Sequence, residues 1–242
     1  MRKVTWIYAL PLALLLGQVT TAGAEEAVQA DTTKAAATKD DEEWLNTVWT
    51  QVDDMVKKED LKLQQTVTVA GVRGAEAEFG ACAEKYGLTE KTFSFKGHEI
   101  ERKRGLVLLS DDELTRRQVS ALYLKAHMHR EFPNTDLFRR VLASIWHQVS
   151  SANEVFAVGV ILDNKTVMGG TGWAVELAKN FTLPLWVFDQ EKKSWFTWKN
   201  GDWHKTADPV ISGRRFTGSG TRLLSDDGRK AIRALFERSF GS

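Results

Sequence analysis

Three glycine-rich turns carry the residues best suited to chemistry: Gly71-Val72-Arg73-Gly74, Gly169-Gly170-Thr171-Gly172, and Gly218-Ser219-Gly220-Thr221-Arg222. Glycine lets backbone approach an anion closely, and N–H groups at a helix start carry partial positive charge, so phosphate is the guest these turns suit. Arg73 and Arg222 stand in two of the turns and offer bidentate contacts to the same group. No turn ends in the Gly-Lys-Ser/Thr of a triphosphate loop, so ordinary Mg-dependent triphosphate hydrolysis is not indicated. Asp189 closes an apolar run, a position that serves either a ribose hydroxyl or the cap of the next turn. The single cysteine, Cys82, and five scattered histidines give no disulfide and no zinc-ligand spacing, so neither a metal nor a cofactor is expected.

The elements that must position these turns alternate in type. Thr66 to Ala70 is a β-branched run leading through the first turn into a helical spacing over Glu76 to Tyr86. Leu137, Val141, Leu142, Ile145 and Val149 form one helical stripe, followed by Glu154 to Leu162, whose core is almost wholly apolar. Such a strand suits a parallel sheet covered on both faces. The second turn opens another helix, Leu183 to Phe188 reads as a further buried strand, and Trp195 to Trp203 around Asn200-Gly201 predicts a tight hairpin. Ser225 is placed to cap a last helix with Ala231, Ile232, Leu235 and Phe236 on its apolar face. The pattern predicts an α/β fold: a mostly parallel sheet flanked by helices, with a C-terminal β-hairpin and an N-terminal helical arm.

Gly169-Gly170-Thr171-Gly172-Trp173-Ala174-Val175-Glu176 resembles the Gly-Gly-x-Gly-Thr-x-x-Glu signature of the Lonely Guy phosphoribohydrolases, within the SLOG superfamily that also includes DprA. The first turn is similar to the Gly-x-Arg-Gly-Ala loop of bacterial and phage members, and Gly218 to Arg222 resembles a third glycine loop seen in some of them. The likeness spans roughly Thr66 to Phe240 and implies a Rossmann-like sheet whose loops hold a nucleotide or nucleotide-derived ligand. It also implies N-glycosidic hydrolysis, with Glu176 at the position of the motif glutamate and Arg130 supplying the upstream arginine. Trp173 replaces the motif threonine, and Met128-His129-Arg130 places its arginine one position early. Glu176 also suits the dipole at the start of its helix, and Trp173 serves equally as core or as a base-stacking platform.

The 242 residues carry 33 Lys+Arg against 32 Asp+Glu, which argues against a general nucleic-acid or polybasic membrane binder. Hydrophobic residues at 43% provide for one sizeable buried core. Arg2 and Lys3, an apolar run from Val4 to Leu16, and Ala22-Gly23-Ala24 read as a secretory signal peptide over residues 1–24, with no membrane span left after cleavage. That places the protein in a periplasm or outside the cell. Residues 25–40 read as a disordered linker, 41–60 as an amphipathic helix, and 61–242 as the α/β domain. Trp44 and Trp49 mark the helix's apolar face, which either packs on the domain or binds a protein partner. The partners expected are therefore a nucleotide or nucleotide-derived molecule, a protein at Trp44/Trp49, and a second copy of the chain in a homodimer.

Overall fold

The computed structural model describes residues 43–44, 46–55, 65–117, 121–130 and 135–241. The proposed signal peptide and linker lie outside them. The chain divides into two units, Met1–Thr47 and Val48–Ser242. In the first, the described residues 43, 44, 46 and 47 are helical, and Trp44 is 65% exposed. The second opens with helical residues 48–55, here α1, on which Trp49, Val52 and Met55 are exposed.

An eight-stranded sheet organises the rest of that unit, in the order β3-β2-β1-β8-β4-β5-β6-β7. β1 (Thr66–Val69), β2 (Thr89–Ser94), β3 (Leu106–Leu108), β4 (Glu154–Gly159), β5 (Leu185–Asp189) and β8 (Arg215–Gly220) run parallel. β6 (Ser194–Lys199) and β7 (Asp202–Lys205) add the antiparallel hairpin, with Trp198 opposite Trp203. Its turn residues Asn200 and Gly201 both have positive φ, as a twist-compatible two-residue turn requires.

Helices α2 (Ala75–Lys85) and α7 (Asp226–Phe240) pack with one face of the sheet; α3 (Asp111–Arg116), α4 (Ala121–Met128), α5 (Asp136–Ser150) and α6 (Thr171–Asn180) lie on the other side. β4 shows why its run is continuously apolar. Phe156 and Val158 enter the core with Phe79, Phe216 and Phe236, while Val155 and Ala157 enter the opposite core with Val175, Ala178 and Val187. Cys82 is buried in the first of these cores, and burial pushes its thiol up to about 12.

One segment differs in kind from its sequence reading. Gly218 to Gly220 is not a turn but the end of β8, a central strand between β1 and β4. Its low apolar content misleads because two devices replace ordinary strand packing. A side chain at Gly218 would collide with the Phe79 ring, so glycine admits α2 against the sheet. On the other face Thr217 Oγ1 and Thr68 Oγ1 lie 2.8 Å apart, and both donate to the Gln148 carbonyl of α5. β2 and β3 have no counterpart in the sequence pattern, and β4 ends at Gly159, three residues short of Leu162, where its apolar run ends.

Phe216 sits at the centre of the first core, its ring 5.8 Å from Phe236 and 6.2 Å from Phe156. Phe216→Ala should lower the unfolding free energy by about 3–5 kcal/mol. A lower urea midpoint with an unchanged m-value is the measurement that checks it.

Candidate functional site

The parallel strands β1, β8 and β4 end at a common rim, where an open α/β sheet places its ligands. There a cavity of about 770 Å³ is walled by residues from all three strand ends: Ala70 and Val72 after β1, Gly159 and Val160 at β4, Ser219 and Gly220 at β8. Leu137, Phe138 and Val141 of α5 give it an apolar roof.

Helix starts around this rim are of two kinds. α3, α5 and α7 are capped by Ser110, Thr135 and Ser225, whose hydroxyls accept from the third helical N–H. α2 and α6, which begin at the cavity, follow Gly74 and Gly170 and have no side-chain cap. Their amides must therefore find other partners.

At α2 the chain supplies those partners itself. Ala75 N–H donates to the Thr221 carbonyl at 3.0 Å, and the Glu76 carboxyl accepts from Ala70 N–H at 2.8 Å and Ser219 Oγ at 3.1 Å. Gly71 has φ 71°, and its carbonyl accepts from the Glu101 and Arg102 amides. Gly74, at φ 95°, lets Thr221 and Arg222 backbone press close. Glycine here serves loop against loop. Glu76 occupies the place an anion would take, and Arg73 points away from the cavity on an exposed shelf.

At α6 the Gly172 and Trp173 amides donate back to the Gly169 and Gly170 carbonyls, at 3.3 and 3.1 Å, and the cavity side of the turn stays open. Gly169 (φ 67°) and Gly170 have nothing within 4 Å of where a Cβ would stand, and both line the cavity with Thr171. Arg130 fixes this loop from behind: its guanidinium donates to the Val167 carbonyl at 2.7 Å, Thr166 Oγ1 at 3.2 Å and the Gly169 carbonyl at 3.4 Å. Gly172 is packed against Val167 backbone and Met128, outside the lining. The third segment contributes Gly220, Thr221 and Arg222, with exposed Arg222 at the mouth. Gly218 does not reach the cavity.

Glu176 and Asp189 lie elsewhere. Glu176 is 5% exposed and paired with Lys179 at 2.7 Å, while Lys179 Nζ stands 3.8 Å from the centre of the Trp198 ring. Burial lowers the Lys179 ammonium, opposed by the Glu176 carboxylate. The charge of Glu176 also acts on Arg130, opposing the lowering that burial imposes. These two residues therefore share a neighbourhood behind the glycine loop, not in the cavity lining. Asp189 is fully buried and accepts from the amides of Ile161, Glu191 and Lys192, which makes it the cap of its turn. Among the described residues no cluster of His, Cys, Asp and Glu could hold a metal, and no helix is long and apolar enough to cross a membrane.

Two cavity residues escaped the sequence reading. In the sequence Glu76 marks only the start of a helical spacing. Burial pushes its carboxyl up to about 7, against hydrogen bonds from Ala70, Ser219, Val72 and Gln148 that favour the charged form. His98 follows β2 in a segment with no periodic signal. Its ring stacks on Phe95 at 4.7 Å and meets Ser94 Oγ through Nδ1 at 3.1 Å. Burial lowers its pKa, and the nearby Arg222 charge lowers it further.

Comparison with protein-family models, curated proteins and solved structures finds no match to this chain. The architecture is that of an α/β domain with a Rossmann-like, mostly parallel sheet.

Because the folded-state pKa of Glu76 lies above its ordinary 4.5, the native state holds a proton that the unfolded chain has released between about pH 4.5 and 7. Stability should fall as pH rises through that window. Glu76→Gln should remove this component, so urea denaturation at stepped pH should show the variant gaining on the wild type by about 3 kcal/mol toward pH 7. Parallel profiles for the two proteins would refute this.

Proposed function

We propose that this protein binds a nucleotide or nucleotide-derived small molecule in the cavity at the β1, β8 and β4 ends, with a phosphate at the start of α6. The observation that carries the reading is the combination of an uncapped helix start, two open glycines and a mostly apolar chamber large enough for a base and sugar. The motif likeness of Gly169 to Glu176 to the Lonely Guy phosphoribohydrolases supports the same ligand class, and the leader-like Met1 to Ala24 supports action outside the cytoplasm.

A thermal-shift panel of AMP, cyclic nucleotides and phosphosugars tests the binding. A ligand at a hundred times its Kd adds about 2.7 kcal/mol of stability, enough to move the transition by several degrees. Gly170→Asp places an acid where the α6 dipole favours it but where phosphate would sit. The variant should therefore fold normally and lose the ligand-induced shift; an undiminished shift overturns the placement.

The chemistry this cavity supports best is N-glycosidic hydrolysis with Glu76, not Glu176, as the acid. Glu76 is the carboxyl at the cavity wall, and near neutral pH it holds a proton for a leaving base. The C1′–N bond breaks, Glu76 protonates the departing base, and water adds to the oxocarbenium-like sugar while giving a proton back to the Glu76 carboxylate. Release of free base should disappear in Glu76→Gln, persist in Glu176→Gln, and decline in the wild type above about pH 7. The opposite pattern returns the role to Glu176. A non-catalytic scaffold is the second reading, favoured by the 65% and 63% exposure of Trp44 and Trp49. Silence across the nucleotide panel would favour it.

A further inference from the structure

The cavity does not end at Arg222. Its mouth, formed by Val72, His98, Arg222 and Leu223, is shared with a second recess of about 630 Å³, which continues into a third of about 670 Å³. Together they form a shelf on the side of the rim away from α6, floored by the 99–104 segment that follows β2.

The shelf is basic, and its charges are unevenly committed. Arg102 is held by Glu90 and Glu84, each at 2.7 Å, and Arg229 is held by Glu78. Arg73, Lys103, Arg104 and Arg222 are exposed and have no carboxylate partner among the described residues. Glu99 and Glu101 line the same recess, and the salt bridges of Arg102 and Arg229 run to other acids. Unpaired cations crowding one concave surface repel one another, and a multivalent anion relieves that repulsion. Burial is the main reason the His98 imidazole is disfavoured as a cation, and the Arg222 charge across the mouth adds to it.

We propose that the shelf of Arg73, Lys103 and Arg222 is a second anion subsite, so that the ligand carries a further phosphoryl group extending out of the cavity mouth. This rests on the cavity reading for the ligand's first part, and it deepens that reading from a monophosphate to a bisphosphate: the two phosphoryl groups stand on separate positions of the ligand, since the linked pair of a diphosphate cannot reach both the start of α6 and a shelf on the far side of the rim. Arg222 belongs to both compartments and sets the crossing point. Arginine suits it because a planar guanidinium can hold two oxygens of one phosphoryl group. The near-neutral charge of the whole chain fits a small polyanion better than a nucleic-acid backbone, which needs a longer basic track.

The test uses the full chain with AMP, adenosine 3′,5′-bisphosphate and inorganic pyrophosphate as probes, titrated by calorimetry at fixed ionic strength. The bisphosphate should bind at least about tenfold more tightly than AMP, the factor expected from one charge-assisted contact. In the Arg73→Gln/Lys103→Gln double variant that ratio should collapse toward one. Pyrophosphate should also raise the titration midpoint of the His98 imidazole, followed by NMR and assigned through its loss in His98→Asn, because the anion offsets the Arg222 charge. A merely structural role for the two cations would leave both the ratio and the midpoint unmoved in the wild type. AMP and the bisphosphate binding with equal affinity overturns the shelf and leaves the cavity reading standing. Pyrophosphate binding without either nucleotide does the reverse, and silence with all three probes overturns both.

Discussion

The carboxyl of Glu76 joins the ends of two strands that are far apart in sequence, and the rim depends on that junction. Through Ala70 N–H it holds the exit of β1, and through Ser219 Oγ it holds the exit of β8. Thr221 completes the closure by accepting from Ala75 at the start of α2. With these bonds made, the first glycine turn is filled from within and the open α6 turn faces a chamber of defined shape. The arrangement uses a group whose burial is costly when charged, and the hydrogen bonds around it offset only part of that cost. A carboxyl held so near neutrality is at once a structural tie and a proton source at the cavity wall.

Much of the architecture was readable because apolar periodicity survives wherever both faces of a strand are covered. β4, β5, α5 and α7 announce themselves in this way. β2 did not, because Thr89–Ser94 places Glu90 in the interior, where Arg102 neutralises it with contacts at 2.7 to 2.9 Å. β8 did not, because threonine pairing and a missing side chain at Gly218 take the place of apolar packing. In both cases a partner from elsewhere in the chain satisfies the polar group, and no local window contains that partner.

The site was legible as a location more than as a set of residues. Glycine content pointed to the strand ends, and Gly169, Gly170, Thr171, Gly220, Thr221 and Arg222 do line one chamber. Glycine spacing alone does not separate a turn open to a ligand from one that lets two loops touch. Gly71 and Gly74 are of the second kind, and only the space around their Cα atoms shows it. Glu176 shows the same ambiguity for acids: its place in the motif suggests chemistry, whereas Lys179 and the Trp198 ring enclose it. His98 had no signal to read, since its relevance comes from the fold of a loop over Phe95 toward Arg222.

The position of β8 also constrains how the chain can assemble. The strand that joins the β1–β3 half of the sheet to the β4–β7 half begins only at Arg215, after the other seven strands have been made. Until it arrives, β1 and β4 each present an unpaired central edge, and the two halves have no hydrogen-bonded connection. Such late, long-range closure slows folding and leaves a nascent chain open to wrong pairings.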